Sequence, residues 1–274
     1  MNEILVIIDS YSSSNQILNL AVDFSVKFKS FITIAFVNQQ KAINKIDDDS
    51  IYEAYYAEIL EKYSDKKNIS NFEYRELKGN MFNEVVKLSK QLEVDMVFMQ
   101  HSIKTGFINK TFFDYSLQIQ AQINCPILLV PNSYEYKGSI GKILITLDAG
   151  DDSRQKLPLT MKLAKSYKST VHIGEAKEKG EEYVLTKFMD QSIAYLKKHN
   201  VQDISFTEFS ISNYENQVSQ FCDKTEIDLL IAMRNNNSDS VFKRYTQTQS
   251  LINSINVPVL SIPNVKIQRK NVGK

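Results

Sequence analysis

One phrase of the sequence occurs twice, once in each half of the chain. Residues 125–132 are Cys-Pro-Ile-Leu-Leu-Val-Pro-Asn, and residues 257–264 are Val-Pro-Val-Leu-Ser-Ile-Pro-Asn. The two copies contain four of the five prolines, so a chance match is a poor explanation. Two more apolar phrases repeat at a similar interval, residues 4–9 with 143–148 and residues 93–98 with 226–231. A period this long indicates a duplicated domain, not a solenoid of short repeats.

The composition limits the class of protein. The 274 residues are enough for two domains, and 43% apolar with 24% charged residues is typical of a soluble globular chain. A net charge of +1 gives no reason to expect nucleic acid or a membrane as the main partner. The sequence shows neither a membrane-spanning apolar run nor a signal-peptide pattern, and its two cysteines form no disulfide framework. We therefore expect a cytoplasmic protein with two buried thiols.

Short apolar runs alternate with segments of helical period along both halves. Most of the runs are apolar on both faces, as is typical of parallel strands covered by helices on both sides. Each half therefore has the order β-α-β-α-β-α-β-α-β, which predicts right-handed crossovers and a doubly wound parallel sheet. The linker at residues 131–141 divides the chain into predicted domains 1–137 and 138–274. The predicted strands are 4–8, 31–37, 72–77, 96–99, 127–130, 143–147, 170–173, 204–209, 229–232 and 259–262; the predicted helices are 14–29, 45–66, 81–92, 111–124, 153–167, 181–199, 214–222 and 241–256.

Two aspartates are the main candidates for ligand binding. Asp9 and Asp148 follow the first strand of each half. In an open α/β sheet, ligands bind outside the carboxyl ends of the strands, where the strand order reverses. The alternative is that each carboxylate caps the turn after its strand through hydrogen bonds to the backbone. Both interpretations stay open from the sequence.

The repeated phrases resemble the universal stress protein (UspA-like) family over the whole chain. The resemblance rests on the strand that ends in Asp, the Gly79-Asn80 turn, the fourth-strand phrase Asp-Leu-Leu-Ile and the closing Cys-Pro-Ile-Leu-Leu-Val-Pro. It implies two tandem Rossmann-like (adenine nucleotide alpha hydrolase-like) domains, each a five-stranded parallel sheet in the order 3-2-1-4-5. It also implies pairing through the fifth strands, which predicts an antiparallel pseudo-dimer interface made by Ile127, Leu128, Leu129, Val130, Val259, Leu260, Ser261 and Ile262.

The resemblance also implies where ATP would bind. Nucleotide-binding members carry Gly-x2-Gly-x9-Gly-Ser/Thr after the fourth strand, and these glycines let backbone amides surround the phosphates. Alignment places Gln100, Ile103, Phe113 and Asp114 there in the first half, and Met233, Asn236, Tyr245 and Thr246 in the second. Only Thr246 matches the pattern. Glycine is scarce throughout: the chain has eight in 274 residues, about 3%, against a usual share of about 7%. We therefore expect no ATP cofactor.

The other polar clusters do not indicate a metal or catalytic site. His101, His172 and His199 are scattered and lack metal-ligand spacing. The acidic stretches 47–50 and 150–153 are more typical of helix starts than of cation sites. Asn236 lies in a polar loop where the family holds its ligand. No arrangement of nucleophile and base follows from the spacing of these residues.

These observations favour a non-enzymatic binding or regulatory protein of stress adaptation with an intramolecular pair of domains, a possible homodimer, and an unknown protein or small-ligand partner. The alternative is a small-molecule sensor, possibly nucleotide-related, with a pocket retained in the second half at Asp148, Thr246 and Asn236. An ATP-hydrolysing or adenylyl-transferring enzyme is the third possibility, and the missing glycines argue against it.

Overall fold

The computed structural model describes residues 1–8, 14–37, 49–63, 72–101, 115–148, 151–177, 180, 182–234 and 250–264, and structural statements below concern those residues. The strands are β1 (Glu3–Ile8), β2 (Phe31–Val37), β3 (Phe72–Leu77), β4 (Met96–His101), β5 (Ile127–Pro131), β6 (Lys142–Leu147), β7 (Thr170–Lys177), β8 (Ile204–Ser210), β9 (Leu229–Arg234) and β10 (Val259–Pro263). The helices are α1 (Ser14–Phe28), α2 (Asp49–Tyr63), α3 (Met81–Gln91), α4 (Tyr115–Gln122), α5 (Leu157–Tyr167), α6 (Glu182–Lys198) and α7 (Tyr214–Thr225), and residues 250–254 are also helical. None of these helices is long and apolar enough to cross a membrane.

The ten strands form one continuous sheet in the order β3-β2-β1-β4-β5-β10-β9-β6-β7-β8. All neighbours within a half are parallel. The predicted strand order 3-2-1-4-5 is therefore confirmed in the first half, and the second half repeats it. The central strands are short and buried on both faces, which explains why they appear in the sequence as continuous apolar runs.

The fifth strands of the two halves pair with each other in antiparallel orientation, as predicted. Leu128 pairs with Leu260, its equivalent in the repeat, and the flanking pairs are Ile127 with Ser261 and Leu129 with Val259. The register is therefore symmetric about the Leu128–Leu260 pair, where a pseudo-two-fold axis crosses the sheet. Pro131 and Pro263 end the two strands, where a missing N–H is tolerated.

Two apolar cores lie on opposite faces of the sheet, and each runs through both halves. The first contains Phe24 and Phe98 from the first half together with Leu163 and Leu260 from the second. The second joins residues of α3 and α4 to residues of α7 and of the helical segment 250–254. The pairing of β5 with β10 thus joins the two five-stranded sheets and the helices on both of their faces. The two halves therefore share both cores.

Helices α1 and α5 also meet across the axis. The rings of Phe24 and Tyr167 have centroids 5.9 Å apart, and the Lys27 ammonium lies 5.3 Å from the centre of the Tyr167 ring. The linker residue Tyr136 is tied to α1, since its hydroxyl donates to Asp23 Oδ2 at 2.5 Å and its amide donates to Gln16 Oε1 at 2.9 Å. The linker is therefore a packed part of the interface.

One buried arginine joins the halves by hydrogen bonds. Arg234, the last residue of β9, is 2% exposed. Its Nη2 donates to the carbonyl oxygen of Ile123 at 2.7 Å and to that of Cys125 at 3.2 Å. Both carbonyls lie in the first half, between α4 and β5, so Arg234 reaches past β10 to satisfy backbone acceptors of the other half.

The start of the fifth helix differs from the expectation. A single helix was predicted near residues 153–167, whereas the structure has a 3-10 segment, Asp151–Lys156, followed by α5 from Leu157. The physical reason is Pro158, which lacks an N–H and is accepted only in the first turn of an α-helix. The acidic residues Asp151 and Asp152 thus begin the 3-10 segment and not α5.

Candidate functional site

The candidate site lies in the second half, at the carboxyl ends of β6 and β9. The strand order reverses between these two strands, which is where open α/β sheets bind ligands. Asp148 follows β6 at this place, as the sequence predicted, and its side chain is half-buried. The 3-10 segment Asp151–Lys156 packs against the same ends of β6 and β9.

Three buried polar side chains surround Asp148. The Lys156 ammonium donates a hydrogen bond to the backbone carbonyl oxygen of Thr146. The Thr146 side chain forms a hydrogen bond with the hydroxyl of Tyr214, the first residue of α7. We call Thr146, Asp148, Lys156 and Tyr214 the polar cluster. Its members come from both faces of the sheet and meet at the end of β6.

Burial changes the protonation behaviour of this cluster. Lys156 is 1% exposed, and the desolvation of its ammonium lowers the pKa to about 8, while the Asp148 carboxylate acts in the opposite direction. Burial raises the pKa of Tyr214; the hydrogen bond with Thr146 partly offsets this, and Asp148 adds to the rise. The Asp148 carboxylate is therefore close enough to act electrostatically on both neighbours.

Three of the four positions of the polar cluster are apolar in the first half; the fourth, Asp9, lies outside the described residues. The strand register matches Ile7 with Thr146, because these residues pair with Ala35 and Gly174 at the same place in β2 and β7. The repeat spacing likewise matches Ile17 with Lys156 and Met81 with Tyr214. Ile7, Ile17 and Met81 are all buried. The fold therefore accepts an apolar core here, and the polar groups are particular to the second half.

Two of the positions aligned with the phosphate loop can be placed. Gln100 lies inside β4 and Met233 inside β9, where they pair with Val130 and Ile262 of the neighbouring strands. Each strand continues for one more pair, so the backbone at these positions is engaged in the sheet. The remaining candidates, Asp9, Ile103, Phe113, Asp114, Asn236, Tyr245 and Thr246, lie outside the described residues.

The structure brings together no metal-binding group among the residues it describes. His172 Nδ1 is 2.5 Å from Ser205 Oγ, while His101 is buried at the end of β4, far along the sheet. Both cysteines are free thiols, and burial raises the pKa of Cys125 to about 11 and that of Cys222 to about 12. The prediction of buried thiols is correct for Cys222, whereas Cys125 is only partly buried against the second core. Neither has the low pKa of a nucleophilic cysteine.

Sequence reasoning missed Lys156, Tyr214 and Arg234. Each looks like an ordinary surface residue in its local context, because a helix start or strand end usually faces water. The available signal was the repeat itself, since aligning the halves sets Lys156 against Ile17 and Tyr214 against Met81. A polar residue at a position that is apolar in the other copy indicates a local change of environment.

We expect Lys156→Met to stabilise the protein near neutral pH and to lose this advantage at high pH. The folded state holds the proton less tightly than the unfolded state, whose pKa is near 10.5. Below pH 8 both states are charged, and the folded state bears the net cost of keeping the charge buried beside Asp148, about 3 kcal/mol for this shift. Removing the hydrogen bond to Thr146 costs about 1 kcal/mol, which leaves a net gain of about 2 kcal/mol.

Between pH 8 and 10.5 the wild-type lysine loses its proton in the folded state. The difference in the free energy of unfolding between variant and wild type should therefore shrink across this range. Urea unfolding at several pH values across this window measures the gap. The exposed Lys165 of α5, the helix that follows the 3-10 segment, provides the control, and Lys165→Met should show no such trend. A gap for Lys156→Met that does not change with pH would contradict the assignment of a desolvated charge.

Comparisons with known proteins agree on the architecture. No protein-family model and no curated protein sequence matches the chain. Among solved structures, a universal stress protein from Archaeoglobus fulgidus is 16% identical, covers 97% of this chain and 97% of its own, and superposes with a TM-score of 0.69. A protein from Pseudomonas aeruginosa described as a universal stress protein is 12% identical, covers 96% and 93%, and gives a TM-score of 0.72.

The same architecture occurs in the cytoplasmic domain of a prokaryotic cation chloride cotransporter, at 11% identity, coverage of 95% and 94%, and a TM-score of 0.60. At these identities the comparisons establish the fold, and the function must come from the site. The chain has the doubly wound, tandem α/β fold of the universal stress proteins.

Proposed function

We propose that this chain is a non-enzymatic, cytoplasmic binding protein of stress adaptation that does not use ATP as a cofactor. The observation that carries the proposal is the strand pairing at the carboxyl ends of β4 and β9, where the family's phosphate loop would begin. Gln100 and Met233 are paired into the sheet there, and His101 and Arg234 extend the pairing to Pro131 and Pro263. Side chains thus stand where a triphosphate needs bare backbone amides.

The energetic consequence can be bounded. Each hydrogen bond lost to a charged phosphate removes roughly 1.5–3 kcal/mol. Asp114, aligned with the end of the loop in the first half, would add like-charge repulsion. Losing two or three such contacts weakens binding by about four powers of ten. This supports a protein that has kept the family's scaffold and lost its nucleotide chemistry.

A small-molecule sensor is the second candidate, and the polar cluster favours it. Thr146, Lys156 and Tyr214 are buried polar groups next to Asp148, at the end of the sheet where ligands bind. Because the first half carries Ile7, Ile17 and Met81 at these places, the polar groups are not needed for folding. A ligand held by the second half through Asp148 would give them a purpose.

We expect calorimetric titration with ATP and Mg²⁺ to show binding no tighter than about millimolar. The physical reason is the side-chain bulk at Gln100 and Met233 and the absence of the motif's glycines. Asp9→Ala and Asp148→Ala form a matched pair of variants, one for each half. Micromolar binding that Asp9→Ala abolishes would contradict the proposal.

Native mass spectrometry of the purified protein tests the sensor candidate. A co-purified small molecule that is lost in Asp148→Ala and kept in Asp9→Ala would favour the sensor. Equal retention in both variants would place the ligand elsewhere and leave the second half without a sensing role.

A further inference from the structure

The two outermost strands of the sheet, β3 and β8, are equivalent strands of the two halves. The strand register matches them residue by residue, so that Phe72 corresponds to Ile204 and Tyr74 corresponds to Phe206. Each strand has one neighbour in the sheet, and its other side is an edge. The two edges can therefore be compared position by position.

The last residue of β8 shows which backbone groups face the edge. The Ser210 amide donates to Gln217 Oε1 at 3.0 Å, and Gln217 Nε2 donates to Ser210 O at 3.5 Å. Backbone groups alternate in direction along a strand, so those of Ile204 and Phe206 also face outward. The ladder with β7 agrees, because it uses the carbonyl of Asp203. No residue that the structure describes bonds to the outward groups of Ile204 or Phe206.

Side chains cover the corresponding carbonyls of β3. The Tyr56 hydroxyl donates to Phe72 O at 2.7 Å, and Arg75 Nη1 donates to Tyr74 O at 3.4 Å. The Tyr74 ring is half-buried, with its centroid 4.6 Å from that of Tyr56. Three of the six residues of β3 are charged, and charged side chains on an edge strand discourage pairing with another strand. The edge of the first half is thus closed.

The edge of β8 is open by comparison. Phe206, which corresponds to the packed Tyr74, is 54% exposed. Only one of the seven residues of β8 is charged, the strand contains no proline, and its register with β7 is unbroken. A regular edge strand with few charges and an exposed ring is a template for another strand. The side chains that close this edge in one half are missing from the other.

We propose that β8 pairs with β8 of a second copy of the chain, in antiparallel orientation about a two-fold axis at Phe206. A two-fold axis sets the same residue opposite itself, so the outward N–H and C=O groups of Phe206 satisfy those of its copy. The two rings lie on the same face of the joined sheets and cover each other. Glu208, the charged residue of β8, lies opposite Ile204 of the second copy, and like charges do not meet.

The chain already contains a strand pair of this geometry. β5 and β10 are antiparallel, with a register that is symmetric about Leu128 and Leu260. Pairing of β8 with its copy would repeat this arrangement between molecules and join two ten-stranded sheets into one. The surface lies on the outer edge of the second half and does not depend on the proposed function.

Sedimentation velocity of the full chain over a series of concentrations tests the proposal. We expect a reversible dimer with a dissociation constant in the micromolar range, because a single strand pair is a small interface. Phe206→Lys removes the ring contact and sets two ammonium groups opposite each other, so it should weaken association at least about tenfold. Tyr183→Lys makes the same charge change at an exposed ring of α6, off the strand, and should dimerise as wild type does.

A disulfide cross-link tests the register. Residues directly opposite each other in such a pair have Cα atoms about 5.5 Å apart, which a disulfide can span. Phe206→Cys should therefore form a covalent dimer on mild oxidation, and Tyr183→Cys should form no more than wild type.

Three results would each overturn the proposal. The first is a wild type that stays monomeric through the micromolar range, whether or not an unrelated extended peptide binds to β8. The second is a Phe206→Lys variant that associates like wild type, or a Tyr183→Lys variant that is weakened equally. The third is a Phe206→Cys variant that cross-links no more than Tyr183→Cys. Thermal melting of each variant shows whether its fold is intact, so that lost association is not mistaken for unfolding.

Discussion

Chains 1–137 and 138–274, expressed separately, are expected to self-associate and not to remain monomeric. Separation would expose β5 on one piece and β10 on the other, with Leu128 and Leu260 changing from fully buried to solvent-facing. An unpaired apolar edge is a template for another strand, and a two-fold interface can be satisfied by two identical copies. Sedimentation measurements should therefore find dimers or larger assemblies of each piece.

Mixing the two pieces provides the control. An equimolar mixture should form a one-to-one complex, because β5 with β10 is the native pair and α1 with α5 packs beside it. Two folded monomers that do not bind each other would contradict this prediction. They would show that the buried interface between the halves contributes little to stability.

Arg234→Ala is expected to lower the free energy of unfolding by about 2–4 kcal/mol. The substitution leaves the carbonyl oxygens of Ile123 and Cys125 without this donor and opens a cavity between the halves. Hydrogen bonds from a charged donor contribute roughly 1.5–3 kcal/mol each, and the two bonds here share one nitrogen. Urea denaturation measures the loss, and a midpoint shift with an unchanged slope would identify it as a change in stability.

Arg75→Ala is the matched control for this prediction. Arg75 also lies on a strand, but its side chain is about half exposed and pairs with Glu73 at the surface. Surface ion pairs contribute about 1 kcal/mol or less, so this variant should stay close to wild type. Equal effects of the two substitutions would mean that the contacts of Arg234 across the interface stabilise the fold no more than a surface ion pair does.

The duplicated phrases predicted the architecture because their residue types are those that a covered parallel sheet requires. Pro126, Pro131, Pro258 and Pro263 mark the ends of the fifth strands, since proline cannot donate to a ladder. Apolar runs without alternation report strands covered on both faces. Gly79 adopts a positive φ of 126° before α3, and Asn80 Oδ1 accepts the Asn83 amide at 3.1 Å, as a turn and helix cap of this kind require.

The candidate site was predictable only in part. Asp148 follows from its place after a strand, because the carboxyl end of a strand is a fixed location in this fold. Lys156 could not be recognised in the same way, since a lysine near a helix start is usually solvated. Its burial results from tertiary packing of the 3-10 segment against β6, and this depends on Pro158 delaying α5. No local pattern reports such packing.

Because the two halves belong to one chain, their sequences can differ at corresponding positions. In a dimer of identical chains, every substitution appears on both sides of the axis, so one subunit cannot gain an acid while the other gains a base. Here Glu3 and Lys142 occupy corresponding positions with opposite charge. The short linker, held by Tyr136 on α1, also fixes a high effective concentration of one half for the other. Two halves in one chain thus stay paired at any dilution, and each half can change its residues without changing the other.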